Sequence, residues 1–159
     1  MRVEYINPFI RSLDHTFMTM LGCEVRRGQI SIKSNSSPHY EISGIIGLSG
    51  RAIGTVVLNL SEGVALKAAS HMLMCETTEI NADVVDAVGE LANVVAGAAK
   101  SELESYQLTA SLPSVITGRH HEVRFPSNVT PICVPFDTKW GPLALEVGFG
   151  PIPATVGAV

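Results

Sequence analysis

A glutamate and an asparagine three residues apart, Glu90 and Asn93, are the residues of this sequence best suited to chemistry. They lie in the run GELANVVAG, residues 89–97, which has the periodicity of an amphipathic helix. Residues three apart on a helix share a face. A carboxylate and a carboxamide held side by side can grip the cation of a partner and orient a water molecule. The pair therefore predicts a site that acts on a second molecule.

The segment around this pair is predicted to be one long helix at about residues 82–106, with its core-facing stripe on one side. The apolar stripe contains Val84, Val88, Leu91, Ala92, Val95, Ala99 and Leu103. The opposite side contains Asp83, Asp86, Glu90, Asn93, Gly97, Ser101 and Glu104.

The residue types on that opposite side favour binding over simple solvation. Asn and Gly are poor helix formers, Gly by about 1 kcal/mol relative to Ala. Asn93 and Gly97, with Gly89 nearby, therefore reduce helix stability without a visible return in packing. The missing side chain of Gly97 would let a second molecule approach closely. A solvated face, or a glycine that admits a neighbouring helix, stays open as the alternative.

Length and composition bound the class of protein. The 159 residues, 46% of them apolar, predict a single domain at 1–150 followed by a flexible tail at 151–159. A net charge of −4 without a basic stripe argues against nucleic-acid binding. No signal peptide and no apolar run as long as a membrane span is visible. We therefore expect no membrane partner and a cytoplasmic protein, with Cys23, Cys75 and Cys133 as reduced, buried thiols.

The order of predicted elements is helix, three strands, two helices, three strands. The first helix is expected to begin with Asn7 as N-cap and Pro8 in the first turn, and Ser61 is expected to cap the second. Strands are predicted near residues 24–33, 40–48, 54–60, 121–125, 131–136 and 142–149. This order has no βαβ alternation, so we expect an α+β fold with an antiparallel or mixed sheet and helices packed on one face. No internal sequence repeat is visible.

The run at residues 83–97 resembles the signature of the CheC/CheX/FliY chemotaxis phosphatases, whose core is Glu-x-x-Asn. The segments 5–10, 43–50 and 112–118 look like the CheX branch, and the resemblance covers most of residues 3–150. It implies a CheC-like fold and a phosphatase that hydrolyses the aspartyl phosphate of a CheY-type response regulator. It also implies that Asn93 holds the attacking water and that Glu90 anchors a lysine of the regulator.

The same resemblance implies how the rest of the site is supplied. The phosphorylated regulator would bring the phosphoryl group and Mg²⁺, so no cofactor and no metal are expected on this chain. Asp86 and Gly97 would border the surface where the regulator docks. CheC proteins carry two such motifs, whereas one motif per chain is similar to CheX, which forms a homodimer. Glu4 and Asn7 have the same spacing, but Pro8 follows and we interpret that match as chance.

Other functions are weighed against this one. A non-catalytic module that binds a regulator or flagellar switch partner, like the middle domain of FliM, would share the fold. A small-molecule-binding domain would show an apolar pocket away from residues 86–97. His71 and Cys75, or His120 and His121, lack the further ligands that a metal site needs. We expect His71 on a helix surface, Cys75 buried and Trp140 packed in a turn.

Overall fold

The computed structural model describes residues 3–35 and 37–152 and confirms the predicted α+β class. Its three helices are α1 (Val3–Leu21), α2 (Glu62–Leu73) and α3 (Ala82–Ser101), and a short 3-10 helix spans Glu104–Tyr106. Its strands are β1 (Arg26–Arg27), β2 (Ser31–Ile32), β3 (Ile42–Ser49), β4 (Ala52–Leu60), β5 (Thr109–Ala110), β6 (Ser114–Thr117), β7 (Ile132–Thr138) and β8 (Gly141–Pro151). Of the expected tail, residues 153–159 lie outside the described residues.

The strands form one sheet in which every pairing is antiparallel. Its order is β1-β7-β8-β4-β3-β5, with β2 also paired to β7 and β6 also paired to β3. The long central pair β4–β8 runs from Ala52 opposite Pro151 to Leu60 opposite Leu143. Because strand residues alternate between faces, this register places the apolar side chains of both strands on the same face.

The helices cover that apolar face, as predicted. Phe9, Leu13 and Phe17 of α1 join the alternate residues Leu143 and Leu145 of β8 in one buried cluster. The other face of the sheet is covered by the connection between β6 and β7, residues 118–131. His121 of this connection bonds Ser43, and Lys33 donates to the carbonyl of Val123.

The structure contains an internal repeat that the sequence does not reveal. Arg26 and Ser31 begin β1 and β2 at one edge of the sheet, while Thr109 and Ser114 begin β5 and β6 at the other. The second set follows the first by 83 residues. The same separation in sequence lies between Ser12 of α1 and Val95 of α3, whose backbone carbonyl accepts a hydrogen bond from the Ser12 hydroxyl. The two halves are therefore related by a pseudo-twofold, with α1 as the counterpart of α3.

Two predicted helix boundaries are wrong. α1 begins at Val3, so Asn7 is not an N-cap and Pro8 lies inside the helix. Burial of Ile6 and Pro8 accounts for the extra turn, although Pro8 cannot donate a backbone hydrogen bond. α3 ends at Ser101 rather than near 106, because the chain must turn there to bring β5 to the sheet edge. In that turn the carbonyl of Tyr106 accepts from the Arg51 N–H at 2.8 Å.

Three further local predictions differ from the structure. Ser61 occupies the N-cap position of α2 but makes no capping bond, and the Glu41 carboxylate accepts from the Glu62 N–H at 2.9 Å instead. Residues 121–125 are irregular rather than a strand, because side chains instead of a backbone ladder fix them to the sheet. Residues 24–33 form only the short β1 and β2, since Pro135 of the neighbouring strand has no N–H to donate.

Candidate active site

The helix that carries the predicted pair is fixed at its start and along its buried side. The Asn81 side chain accepts from the Val84 N–H at 3.0 Å and caps the first turn. A side chain at Gly44 of β3 would come within 2.8 Å of Ala92, so the missing Cβ lets the strand and α3 approach closely. The predicted core stripe is confirmed, because all of its members are buried: Val84, Val88, Leu91, Ala92, Val95, Ala99 and Leu103.

The predicted pair lies on the outer side of α3. Glu90 is exposed and Asn93 is half-buried, with exposed Asp86 one turn before the glutamate. A side chain built at Gly97 would meet nothing within 4 Å, so this position opens directly to solvent. We call these four residues the α3 face. No packing within the described part of the chain explains the glycine at 97.

The charge of the α3 face is negative. Asp83, Asp86 and Glu90 are exposed carboxylates, and the basic residue of the helix, Lys100, lies in its last turn. The ion pairs among residues 3–35 and 37–152 join Arg11 to Glu102, Lys33 to Glu146 and Arg124 to Glu122. The Glu90 carboxylate therefore has no cation partner in the described part of the chain and can pair with a cation from another molecule.

Gly89 was counted with Asn93 and Gly97 as a residue that reduces helix stability without a visible return in packing, and for Gly89 this is wrong. It is buried, and a side chain there would touch Val115 at 3.4 Å and Pro113 at 3.5 Å. The absence of a side chain at Gly89 therefore improves packing, because it lets residues 113–115 lie against α3. Sequence periodicity could not show this, because the contact comes from the segment that follows the helix.

Glu4 and Asn7 repeat the Glu-x-x-Asn spacing on helix α1. Both residues are exposed on α1, so the reason first given for dismissing them, an N-cap at Asn7, was wrong. Pro8 follows the match inside α1, and the interpretation of this match as chance remains a prediction.

The remaining candidates have structural explanations. His71 is exposed, as expected, and stacks 5.1 Å from Trp140 in the β7–β8 turn. Cys75 is exposed rather than buried, because α2 ends at Leu73 and the chain turns outward. Within the described ranges, no three His, Cys, Asp or Glu side chains are grouped so that they could hold a metal ion.

The two buried cysteines are held as neutral thiols. Desolvation by burial raises the pKa of Cys23 and of Cys133 above the usual 9.0, and the neighbouring Glu146 carboxylate raises the pKa of Cys133 further. Neither thiol is a nucleophile at neutral pH.

A polar network, which the sequence analysis missed, attaches the connection between β6 and β7 to the face of the sheet opposite the helices. The His121 ring bonds the Ser43 hydroxyl and the Gly118 carbonyl, each at 2.7 Å. The Asn59 side chain donates to the same hydroxyl at 2.8 Å. The adjacent residues His120 and His121 gave no signal for this role, because the contact depends on strands far away in sequence.

A cavity of about 260 Å³ lies between residues 33–35 and residues 122–131, away from the α3 face. Charged side chains of Lys33, Glu122 and Arg124 contribute to its lining. It is not the apolar pocket that a small-molecule-binding domain would require.

Fold and site together define a class: an α+β domain that presents an unpaired Glu-x-x-Asn pair on the outer side of a packed helix. A sequence profile described as "Chemotaxis phosphatase CheX" matches residues 42–137. The chain belongs to the CheX family of chemotaxis phosphatases, and a phosphatase activity follows from that membership.

Individual relatives agree with the family. The chain is 28% identical over 127 residues to "CheY-P phosphatase CheX" of Thermotoga maritima, covering 78% of this chain and 82% of that protein. The crystal structure of chemotaxis protein CheX from Vibrio vulnificus is similar with a TM-score of 0.87 and 31% identity, covering 92% of this chain and 99% of the other.

A complex of CheX with CheY, BeF3 and Mg²⁺ from Borrelia burgdorferi has a TM-score of 0.77 to this chain. Its identity is 24%, and it covers 94% of this chain and 98% of the other, so this likeness shows the shared fold. No helix among the described residues is long and apolar enough to cross a membrane.

Proposed function

We propose that this chain hydrolyses the aspartyl phosphate of a CheY-type response regulator in a two-component pathway. Asn93 positions the attacking water, and Glu90 anchors a lysine of the regulator. The observation that carries this proposal is the placement of both side chains on the outer side of α3, where Glu90 pairs with no cation of residues 3–35 or 37–152. The relative named a CheY-P phosphatase supports the choice of substrate.

The chemistry requires little from this chain beyond placement. The water oxygen attacks phosphorus, the bond from phosphorus to the aspartyl oxygen breaks, the aspartate leaves as a carboxylate, and both protons of the water remain on the inorganic phosphate. The regulator holds the phosphoryl group and Mg²⁺, which neutralises the developing charge. Phosphoryl transfer depends mainly on positioning and electrostatics, so one amide can accelerate it. The Asn93 carboxamide can accept a hydrogen bond from the water through its oxygen and donate hydrogen bonds through its nitrogen, without titrating near neutral pH.

Glu90 is suited to docking rather than to contact with phosphate. A carboxylate repels a phosphoryl group, but it attracts an ammonium one helical turn from the Asn93 side chain. Pairing with a lysine of the regulator would fix how Asn93 enters its site. Asp86 would add to the attraction, and the open position at Gly97 would let the regulator approach the helix.

Two accompanying properties are proposed from the same resemblance. We infer a cytoplasmic protein, because its substrate is an intracellular regulator. We infer a homodimer with one site per chain, which agrees with the placement of one Glu-x-x-Asn pair on α3. Light scattering on the purified chain tests the dimer, and a monomer at micromolar concentration would contradict it.

The decay of phosphorylated receiver domains tests the function. Several ³²P-labelled receiver domains are followed with and without the protein, and at least one should lose its label faster. Asn93→Ala should abolish the acceleration, whereas Asn7→Ala on the pseudo-equivalent helix α1 is the matched control and should retain it. Full activity of Asn93→Ala would overturn the assigned role. Tight binding of a regulator without any turnover would indicate the non-catalytic module instead.

A further inference from the structure

The edge of the sheet beside the α3 face contains a one-residue bulge. Ala110 of β5 lies opposite Leu48, and Ser114 of β6 lies opposite Ile45. The three residues 111–113 therefore face only two residues of β3. Bulges of this kind redirect a side chain at a sheet edge and are frequent beside functional sites.

Hydrogen bonds hold the bulge in one conformation. The Ser111 N–H donates to the Gly47 carbonyl at 2.8 Å, and the Ser111 hydroxyl accepts from the Gly47 N–H at 2.8 Å. The same hydroxyl donates to the Leu112 carbonyl at 2.9 Å. Pro113 has no N–H and fixes its own φ. Leu112 is thus presented from an ordered backbone.

This ordered segment places a large apolar side chain beside the α3 face. Pro113 lies within van der Waals reach of Gly89, which directly precedes Glu90 and is one turn before Asn93. Leu112 itself is 89% exposed. An exposed leucine on a fixed backbone, in a segment that packs against the helix of Glu90 and Asn93, resembles the apolar part of a mixed protein–protein contact.

The other half of the molecule supplies an internal comparison. At the opposite edge, residues 28–30 form the same bulge, since Arg27 faces Phe136 and Ser31 faces Cys133. The position that corresponds to Leu112 is occupied there by exposed Gln29. The apolar residue at the bulge therefore occurs in the half that also carries Glu90 and Asn93.

We propose that Leu112 is a second contact for the regulator, an apolar one that docks together with the Glu90 anchor. This inference rests on the proposed function and adds to it a property of the partner. The regulator that fits must present an apolar patch next to the lysine that pairs with Glu90. Leu112 contributes to affinity and to the choice among regulators, and it leaves the chemical step to Asn93.

The test uses the full chain and the receiver domain that decays fastest in the assay above. Leu112→Ser should raise KM about tenfold, the scale expected when a leucine is no longer buried on docking. The value of kcat at saturating regulator should stay close to that of the unaltered protein. The dissociation constant for the same receiver domain activated with beryllofluoride should rise by a similar factor, and Leu112→Met should restore both values. Ile32→Ser is the matched control, because Ile32 is 63% exposed at the opposite edge of the sheet.

The outcomes separate the two proposals. If the unaltered protein turns over a receiver domain and Leu112→Ser has the same KM, the Leu112 contact is overturned and the proposed function stands. An equal rise in KM for Ile32→Ser would also overturn it, because the effect would then not be specific to this edge. If the unaltered protein accelerates the decay of no receiver domain, the proposed function fails and the contact fails with it.

Discussion

The buried hydroxyl of Ser12 donates to the backbone carbonyl of Val95 at 2.6 Å and joins α1 to α3. The two residues are separated by 83 positions, the same offset that separates β1 from β5 and β2 from β6. This bond therefore connects the two helices that correspond to each other in the two halves. It holds α3 from behind, while the outer side of the helix carries Glu90 and Asn93.

Removal of this bond should weaken the helix pair. Ser12→Ala should lower the free energy of unfolding by about 1 kcal/mol, the usual net value of a buried hydrogen bond. Urea denaturation followed by circular dichroism measures it. Thr19→Ala is the control, because the exposed Thr19 hydroxyl bonds only within α1, to His15, and its loss should have a smaller effect. Equal stabilities of the Ser12 variant and the unaltered protein would show that the bond contributes nothing.

The Glu90 anchor should appear as salt-dependent association. Glu90→Gln should weaken binding of the beryllofluoride-activated regulator by up to about fivefold at low salt, since an exposed ion pair contributes at most about 1 kcal/mol. The affinity of the unaltered protein should fall more steeply with salt than that of the variant, because ions screen exposed charges.

Titration calorimetry at two salt concentrations measures this difference. Glu24→Gln, an exposed acid in the loop after α1, is the control. Parallel salt dependences for the unaltered protein and Glu90→Gln would remove the anchor role.

Two substitutions at Gly97 should affect the stability of the fold and the docking of the regulator separately. A side chain at this position meets open space, so Gly97→Ala should stabilise the fold by up to about 1 kcal/mol through helix propensity. Gly97→Phe should fold normally but increase KM for the regulator, because the ring would occupy the space that the partner needs.

Thermal unfolding and the phosphate-decay assay measure the two effects. Ala98→Phe is the matched control, since Ala98 is also exposed on α3 but points to a different side of the helix. If Gly97→Phe turned over the regulator normally, close approach at this point would be excluded.

The ion pair between Lys33 and Glu146 should be sensitive to the loss of either partner. The two side chains are 2.8 Å apart and each is 8% exposed. Lys33→Met should destabilise the fold by about 3 kcal/mol, because it leaves a buried carboxylate without a cation. The double variant Lys33→Met with Glu146→Leu should recover much of that loss.

Chemical denaturation of the two variants measures the recovery. A double variant no more stable than the single one would show that the pair contributes more than mutual neutralisation. Phosphatase activity at saturating regulator serves as the control for a distant effect, since this pair lies on the face of the sheet opposite α3.

The sequence by itself determined much of this protein. Hydrophobic periodicity located α3 and its buried stripe, because the 3.6-residue repeat of a helix is a local property. The same projection placed Asp86, Glu90, Asn93 and Gly97 on the outer side, and the resemblance of that run identified the family. The α+β class followed from the order of helices and strands.

The tertiary structure decided what depends on contacts between distant residues. The sequence could not show that Gly89 is small because of Pro113, nor that residues 121–125 attach to the sheet through side chains instead of a ladder. The pseudo-twofold was also invisible, because the two halves conserve a backbone arrangement without repeating their side chains. The sequence also could not show that Leu112 lies in a bulge whose segment packs against α3, since register and proximity are set by pairing across the whole chain.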